Sequence, residues 1–216
     1  MKTLNQVLAV LLCFLFLNNP TFSQRSTTIK RSTTKAQTNT FLATATSTAW
    51  IARHGLSGSA YQNEFTKHSR KGYRLVHVAG YEVRGAARYA AIWEKKSGPA
   101  MRTHHGMTSA VYQQKFNTYS KQGYRPTHIS GYDVKGKPYF AAIWEKKSGP
   151  AWVARHNMTG AKYQQEFNLW KSKGYRLVKV SGYAAGTSAR YAAIWEKNSG
   201  PSMRTHHGMT SANYQQ

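Results

Sequence analysis

The sequence has little cysteine and few acidic residues. Its one cysteine, Cys13, lies within the first 23 residues, so a chain processed after this segment has no thiol. Disulfide bonds and cysteine chemistry are then excluded. Only 7 Asp and Glu residues stand against 31 Lys and Arg, for a formal net charge of +24. This balance predicts attraction to polyanions or anionic surfaces, although a solvated basic surface with no dedicated partner is an equally good interpretation.

The N-terminal region has the pattern of a secretory signal followed by a linker. Residues 1–23 combine Lys2, an apolar segment from Val7 to Leu17 and small residues near a plausible cleavage point. The apolar segment is too short to span a bilayer comfortably. Residues 24–49 are rich in Ser and Thr and show no helical or strand period, which is typical of a flexible basic linker. We therefore expect a secreted, extracellular protein without a transmembrane segment.

The rest of the chain is a tandem repeat. The segment Ala-Ala-Ile-Trp-Glu-Lys occurs three times, and its tryptophans, which we expect in the core of each repeat, are Trp93, Trp144 and Trp195. Their constant interval is 51 residues. A period of about 50 residues indicates a repeat architecture in which each unit buries its apolar face against its neighbours. The units fall at about 50–100, 101–151 and 152–202, with a partial unit at 203–216.

Each unit begins with a predicted helix. In the second unit Thr108 is a capping residue, and Tyr112, Phe116 and Tyr119 follow at helical spacing, which places them on one face. Gly123 ends the helix, because glycine tolerates the left-handed conformation beyond the last turn.

Three short strands follow each helix. In the first unit we expect them at Tyr73–Val78, Tyr89–Lys95 and Met101–His105, with a hairpin turn at Arg84-Gly85. A left-handed turn is expected after the third strand, where Gly or Asn occupies positions 55, 106, 157 and 208. The predicted fold is mainly β with one helix per repeat, an α+β fold of three-stranded antiparallel meanders in a propeller-like arc.

The longest motifs resemble a known repeat family. They are Gly-Tyr-Arg-Leu-Val at Gly72 and Gly174, Tyr-Ala-Ala-Ile-Trp-Glu-Lys, and Ser-Gly-Pro-Ala-Trp-Val-Ala-Arg-His at Ser148–His156. Together they resemble the structural repeat of polyglycine hydrolases and related bacterial tandem-repeat domains over about residues 50–216. The resemblance implies a β-propeller-like N-terminal domain. In that family, catalysis belongs to a separate downstream domain similar to class C β-lactamases, with a Ser-x-x-Lys nucleophile, so no catalytic residue is carried over.

Four histidines occupy one repeat position and are the first candidate site. They are His54, His105, His156 and His207. Gathered around a common axis, they would form a metal-binding ring, since imidazole suits zinc, copper or nickel. The simpler interpretation is that each histidine bonds a neighbouring backbone group, once in every unit. We favour this structural role and expect neither a metal nor another cofactor.

The second candidate is a basic and aromatic surface. Its arginines lie on the third strand of each unit and are Arg53, Arg102, Arg155 and Arg204. Tyrosines such as Tyr132 and Tyr183 recur beside the first strand. Cations interleaved with aromatic rings suit sugars, anionic glycans or single-stranded nucleic acid, and for a secreted chain polysaccharide is favoured over nucleic acid. The alternative is that most tyrosines are core residues and that these arginines pair with the glutamates after each repeated tryptophan.

The sequence therefore favours a secreted, non-catalytic module that binds or scaffolds glycan, cell-wall or protein surfaces through these arginines and histidines. The first alternative is the truncated repeat region of a secreted serine hydrolase, and the second is the metal-binding ring. Because the pattern stops within a helix near Tyr214, we expect either a fragment of a longer array or self-association through open ends. Asn157-Met158-Thr159 is a glycosylation sequon, which we expect on a loop.

Overall fold

The computed structural model describes residues 48–215, which contain three similar units. The expected signal segment, residues 1–23, lies outside the described residues, as does almost all of the expected linker, residues 24–49. The first unit comprises β1 (Trp50–Leu56), α1 (Gly58–Arg70), β2 (Tyr73–Val83) and β3 (Ala86–Lys95). The second comprises β4 (Met101–Thr108), α2 (Ser109–Lys121), β5 (Arg125–Val134) and β6 (Lys137–Glu145). The third comprises β7 (Trp152–Met158), α3 (Gly160–Ser172), β8 (Arg176–Ala185) and β9 (Ser188–Glu196), and a short helix, α4 (Ser211–Tyr214), follows.

Each unit forms one three-stranded antiparallel sheet whose central strand is the last of the unit. The orders are β1-β3-β2, β4-β6-β5 and β7-β9-β8. A mainly β fold with one helix per tandem repeat is thus confirmed. The expected meander is wrong. The strand expected as the third of each unit does not pair with the preceding tryptophan strand and is instead the first strand of the next sheet. For example, β4 follows Trp93 but pairs with β6, which carries Trp144, so that Met101 lies opposite Glu145. The reason is that α2 packs on both β4 and β6. Among the described residues, the three sheets remain separate and do not close into a ring.

The central strands carry the core because they are paired on both edges. Trp93, Trp144 and Trp195 are fully buried, with 0% exposure. The cluster around Trp144 contains Phe140 of the same unit together with Tyr183 and Ile194 of the next. Neighbouring units therefore share one core, as nearest-neighbour burial in a repeat protein requires.

The helices begin at capping hydroxyls and end at glycines. The Val111 N–H donates to Thr108 Oγ1 at 3.3 Å, and Gly123 follows the last turn with a φ of 81°. Tyr112 and Tyr119 are buried and Phe116 packs beside them, so the predicted helix is confirmed. Among the helices that the structure describes, none is long and apolar enough to cross a lipid bilayer.

The first strand of each unit bends at a residue with a left-handed backbone. Gly55, Gly106 and Asn157 have φ values of 71°, 65° and 55°, and the strand register shifts around each of them. These positive φ values confirm the turn predicted from Gly and Asn. The Asn157 N–H donates to the Tyr183 hydroxyl at 3.1 Å, which fixes the bulge within the sheet. Asn157 therefore lies in β7, whereas the sequence analysis expected it on a loop.

Candidate binding surface at the junctions between units

A Gly-Tyr pair in the second strand of each unit joins neighbouring units. Gly131 lies so close to the ring of Tyr183 that a methyl group at Gly131 would overlap the ring carbons. The Gly131 N–H donates to the Ser181 hydroxyl on the same neighbouring strand at 3.0 Å. Gly80 and Tyr132 meet in the same way at the first junction. Both tyrosines are buried, which confirms their interpretation as core residues.

Two ion pairs cross the junctions at equivalent positions. Arg74 donates to Glu145 and Arg125 donates to Glu196, each at 2.9 Å. Gly149 leaves room for the Arg125 guanidinium, since a methyl group there would overlap it. The alternative that paired these glutamates with Arg53, Arg102, Arg155 and Arg204 is therefore wrong. The reason is that β2 and β5 contact the central strand of the next unit, which brings their first arginine beside that strand's glutamate.

The histidines of the candidate metal ring lie at separate junctions. Three of them pack at the start of the preceding unit's helix against two aromatic rings, and these are His105, His156 and His207. For His105 the two rings are Tyr61 and Tyr89, at centroid distances of 4.6 and 4.9 Å. His54, in the first described unit, is exposed. Within residues 48–215 no three His, Cys, Asp or Glu side chains lie close enough to hold a metal ion, so the ring is not formed.

One junction histidine contacts a serine. His156 Nε2 lies 3.0 Å from Ser109 Oγ, and a serine beside a histidine is the first element of an activated nucleophile. Glycines occupy the equivalent helix starts, Gly58 and Gly160, and a histidine lies beside each, with its Nε2 3.5 or 3.8 Å from where a Cβ would stand. The position of the histidine therefore does not depend on the hydroxyl. Burial lowers the pKa of His156, although a hydrogen bond to the Ser109 backbone partly opposes this shift. A lowered pKa suits a neutral imidazole with a packing role.

A buried histidine, His128, packs against the half-buried His77 between the second strands. His128 is 5% exposed, its Nε2–H donates to the Val78 carbonyl at 2.8 Å, and its ring packs edge-on to His77. Burial, aided by His77, lowers the pKa of His128 to about 4, so the ring is neutral at pH 7. The sequence analysis missed this contact. The available signal was a repeat position occupied by His77, His128 and Lys179.

The predicted arginines are exposed and belong to different units. Arg53 and Arg155 form ion pairs with a glutamate of their own unit's helix at 3.6 and 3.4 Å. The Arg102 guanidinium lies 5.7 Å from the centroid of a tyrosine ring, and Arg204 is exposed. The structure therefore spreads these arginines along the series of units and does not gather them into one site.

All acidic residues are engaged in contacts within the protein. Those in ion pairs are Glu64, Glu94, Glu145, Glu166 and Glu196. Glu82 and Asp133 accept backbone N–H groups from the next unit's hairpin at 2.8 and 2.9 Å. Burial raises the pKa of Glu145, but bonds from Lys147 and Arg74 outweigh burial and lower it. The carboxylates are thus used internally, and the excess positive charge is left at the surface.

One groove gathers predicted and unpredicted residues from two units. It lies between α2 and β7 and has a volume of about 200 Å³. Its lining residues are Tyr112, Gln113, Phe116, Ala154, Arg155 and His156. Trp152 packs edge-on against Phe116 at a centroid distance of 5.6 Å. The sequence indicated Arg155 and His156 but not Gln113 or Phe116, because the apolar period shows which helix face packs and not where the packing leaves a gap.

The groove has the chemistry of a site for a polar ligand with an apolar face. The aromatic side chains offer flat apolar surface, while the guanidinium and the amide donate hydrogen bonds. A concave surface with a few convergent polar groups is typical of ligand sites. Of the eight binding residues expected from the sequence, this groove contains Arg155 and His156.

Comparison with known families matches the chain to a structural repeat. A family model for the polyglycine hydrolase-like structural repeat matches the chain in tandem over residues 47–96, 98–147, 149–198 and 200–216. The match spans the three described units and the start of a fourth, and it confirms the resemblance drawn from the motifs. The family is described as a structural repeat, which agrees with the finding that repeated side chains hold neighbouring units together.

Proposed function

Because the chain belongs to the family of the polyglycine hydrolase-like structural repeat, we propose that it is a secreted, non-catalytic module that binds or scaffolds a glycan, cell-wall or protein surface. Secretion rests on the signal pattern of residues 1–23. The exposed Asn157 side chain is the proposed glycosylation site. A propeller-like arc remains part of the proposal, supported by contacts between β2 and β5 and between β5 and β8.

The proposed ligand site is the groove between α2 and β7, and the ligand is a cell-wall glycan. The observation that carries this proposal is the combination of Phe116, Gln113 and Arg155 in one concave surface. Arg155 is held by Glu166 at 3.4 Å and stacks on the Trp170 ring at 5.6 Å. Its guanidinium is therefore ordered before a ligand arrives, which reduces the entropy lost on binding.

Retention on insoluble cell-wall polysaccharides tests this site. Chitin, cellulose and peptidoglycan serve as probes, and the bound fraction of the full chain is measured for Gln113→Ala and Arg155→Gln. The matched control is Gln62→Ala, at the equivalent helix position of the first unit. We expect the wild type and the control to be retained on at least one polymer and the groove variants to be released. Equal retention of all variants, or no retention of the wild type, would refute the site.

The hydrolase alternative is also open to test. It proposes that the native secreted protein continues into a catalytic domain with a Ser-x-x-Lys nucleophile. The intact mass of the native protein and its turnover of a polyglycine peptide decide the matter. A mass well above that of this chain together with peptide cleavage supports the hydrolase, while a matching mass without cleavage supports the binding module.

We further propose that chains associate through the outer face of the third sheet. Val180 is 50% exposed there, whereas Val78 and Ile129, at the same repeat position, are 0% and 4% exposed. Gly182, unlike Gly80 and Gly131, does not receive a tyrosine from a following unit within the described residues. Light scattering at increasing protein concentration should show a mass above the monomer that Val180→Glu abolishes. A monomer at every concentration would refute self-association.

A further inference from the structure

We propose that one edge of the three sheets forms a continuous binding surface for a linear acidic polysaccharide. This edge, called the basic edge below, is where each helix ends, the second strand begins and the central strand ends, as Tyr73 opposite Lys95 illustrates. Its repeated cations follow the tryptophan motif and are exposed: Lys95, Lys146 and Lys197. The inference rests on the binding role proposed above, but it places a second ligand on a different surface.

The carboxylates at the basic edge do not cancel its charge. Glu94, Glu145 and Glu196 end or nearly end the central strands there, and each is held by a basic partner within 2.9 Å. For two of them the partner is an arginine of the preceding unit's second strand. Lys95, Lys146 and Lys197 are not among these partners. The basic edge therefore presents unneutralised cations in every unit, and such a surface attracts a polyanion.

In each unit an aromatic ring lies close to one lysine of the basic edge. Lys95 Nζ lies 5.7 Å from the Tyr73 ring centroid, and Lys146 Nζ lies 6.0 Å from that of Tyr124. In the third unit Lys173 Nζ lies 5.1 Å from a ring centroid of Trp170. Each long stem lies along an apolar face while its charged head reaches water. The lysine side chains are thus restricted in position before binding, so less side-chain entropy is lost when they bind an anionic group.

The series of sheets favours a polymer over a small anion. The second strands of neighbouring units contact each other directly, so the ends of these strands follow one another along the series. A chain that crosses the basic edge therefore meets cations from each of the three units. A small anion would meet the cations of one unit. The rings of Tyr73, Tyr124 and Trp170 are covered by cations, whereas single-stranded nucleic acid is bound through bases stacked on open rings. The basic edge therefore suits a ligand that carries negative charge along an extended chain and does not need stacked bases, which points to an acidic polysaccharide.

Binding to immobilised heparin, a sulfated polysaccharide, tests the proposal with matched charge variants of the full chain. The edge variant is Lys95→Gln, Lys146→Gln and Lys197→Gln together. The control variant removes three charges from the hairpin ends of the sheets, through Arg84→Gln, Lys135→Gln and Lys137→Gln. We expect the edge variant to bind heparin about 100-fold more weakly, because each lost cation weakens binding about fivefold. The slope of log Kd against the logarithm of the salt concentration should also decrease by about 2. The control should stay within threefold of the wild type.

Several outcomes would overturn the inference. Equal weakening of the two variants would show that net charge alone governs binding. The absence of heparin binding by the wild type, or equally tight binding of duplex DNA, would exclude an acidic polysaccharide as the preferred partner. Thermal melts of both variants are the control that distinguishes weaker binding from unfolding. Because the groove is tested with Gln113→Ala on cell-wall polymers, failure at the groove and failure at the basic edge are distinguishable.

Discussion

A methyl group at Gly131 should destabilise the protein by displacing a tyrosine of the next unit. The added Cβ would overlap two carbons of the Tyr183 ring and lie 2.8 Å from its Cγ, whereas carbon atoms in contact lie about 3.5–4.0 Å apart. The ring is held by an edge contact with Phe140 at 5.4 Å and by the bond from the Asn157 N–H. Gly131→Ala therefore forces Tyr183 out of a packed position and breaks a hydrogen bond.

The expected loss follows from these terms. Overpacking of a core costs about 1–3 kcal/mol, and a lost hydrogen bond costs about 1 kcal/mol. Replacing glycine by alanine recovers about 0.4–1 kcal/mol by restricting the unfolded chain. Gly131→Ala should therefore lower the free energy of unfolding by about 1–3.5 kcal/mol, as measured by urea denaturation followed by tryptophan fluorescence.

The chain contains a matched control for this change. Gly182 occupies the same repeat position, but the atom nearest to an added Cβ is Tyr191 Cε1 at 3.4 Å, which is an acceptable contact. Gly182→Ala should stay within about 0.5 kcal/mol of the wild type. Tyr183→Ala should also cost less in the Gly131→Ala background, with a coupling of about 1 kcal/mol or more. Equal losses for the two alanine variants would show that the strand backbone, and not the junction, sets the cost.

Two further predictions concern the core and the effect of pH. Trp144→Ala should cost about 3–5 kcal/mol in a denaturant melt, because the tryptophan is fully buried between units, and a change near zero would contradict its central role. The unfolded pKa of histidine is about 6.5 and the folded pKa of His128 is about 4, so the unfolded state binds more protons between these values. Stability should be complete above about pH 6.5 and fall by up to about 3 kcal/mol towards pH 4. Urea melts across this range should show a smaller fall for His128→Gln, and an unchanged fall would assign the effect to other groups.

Local signals in the sequence were sufficient to predict the helices and turns. Thr108 and Gly123 mark the ends of α2 because capping needs only a hydroxyl and a residue that tolerates positive φ. The hairpin at Arg84-Gly85 has the positive φ values, 51° and 76°, that this turn requires. These features depend on residues close in sequence, so the composition of a short segment predicts them.

Pairings across units were not predictable from the same signals. The sheet order depends on which central strand the Met101–Thr108 strand joins, and both central strands offer the same repeated Ala-Ala-Ile-Trp edge. The partner of Glu145 is Arg74, 71 residues away, while other arginines lie nearer in sequence. Gln113 lines the groove only because β7 of the next unit lies opposite α2. The candidate site is thus a product of packing between units, which the repeat period alone does not specify.

Native-state hydrogen exchange of the full chain tests most directly the claim that the repeated side chains join the units into one cooperative structure. The middle sheet has a described neighbour on both sides, whereas the first and third have one each. The free energies of exchange should therefore be highest for the amides of β6 and lower for those of β3 and β9. In the Gly131→Ala variant, protection should fall on both sides of that junction. Equal protection of β3, β6 and β9 in the wild type, with a variant effect confined to one sheet, would contradict the account.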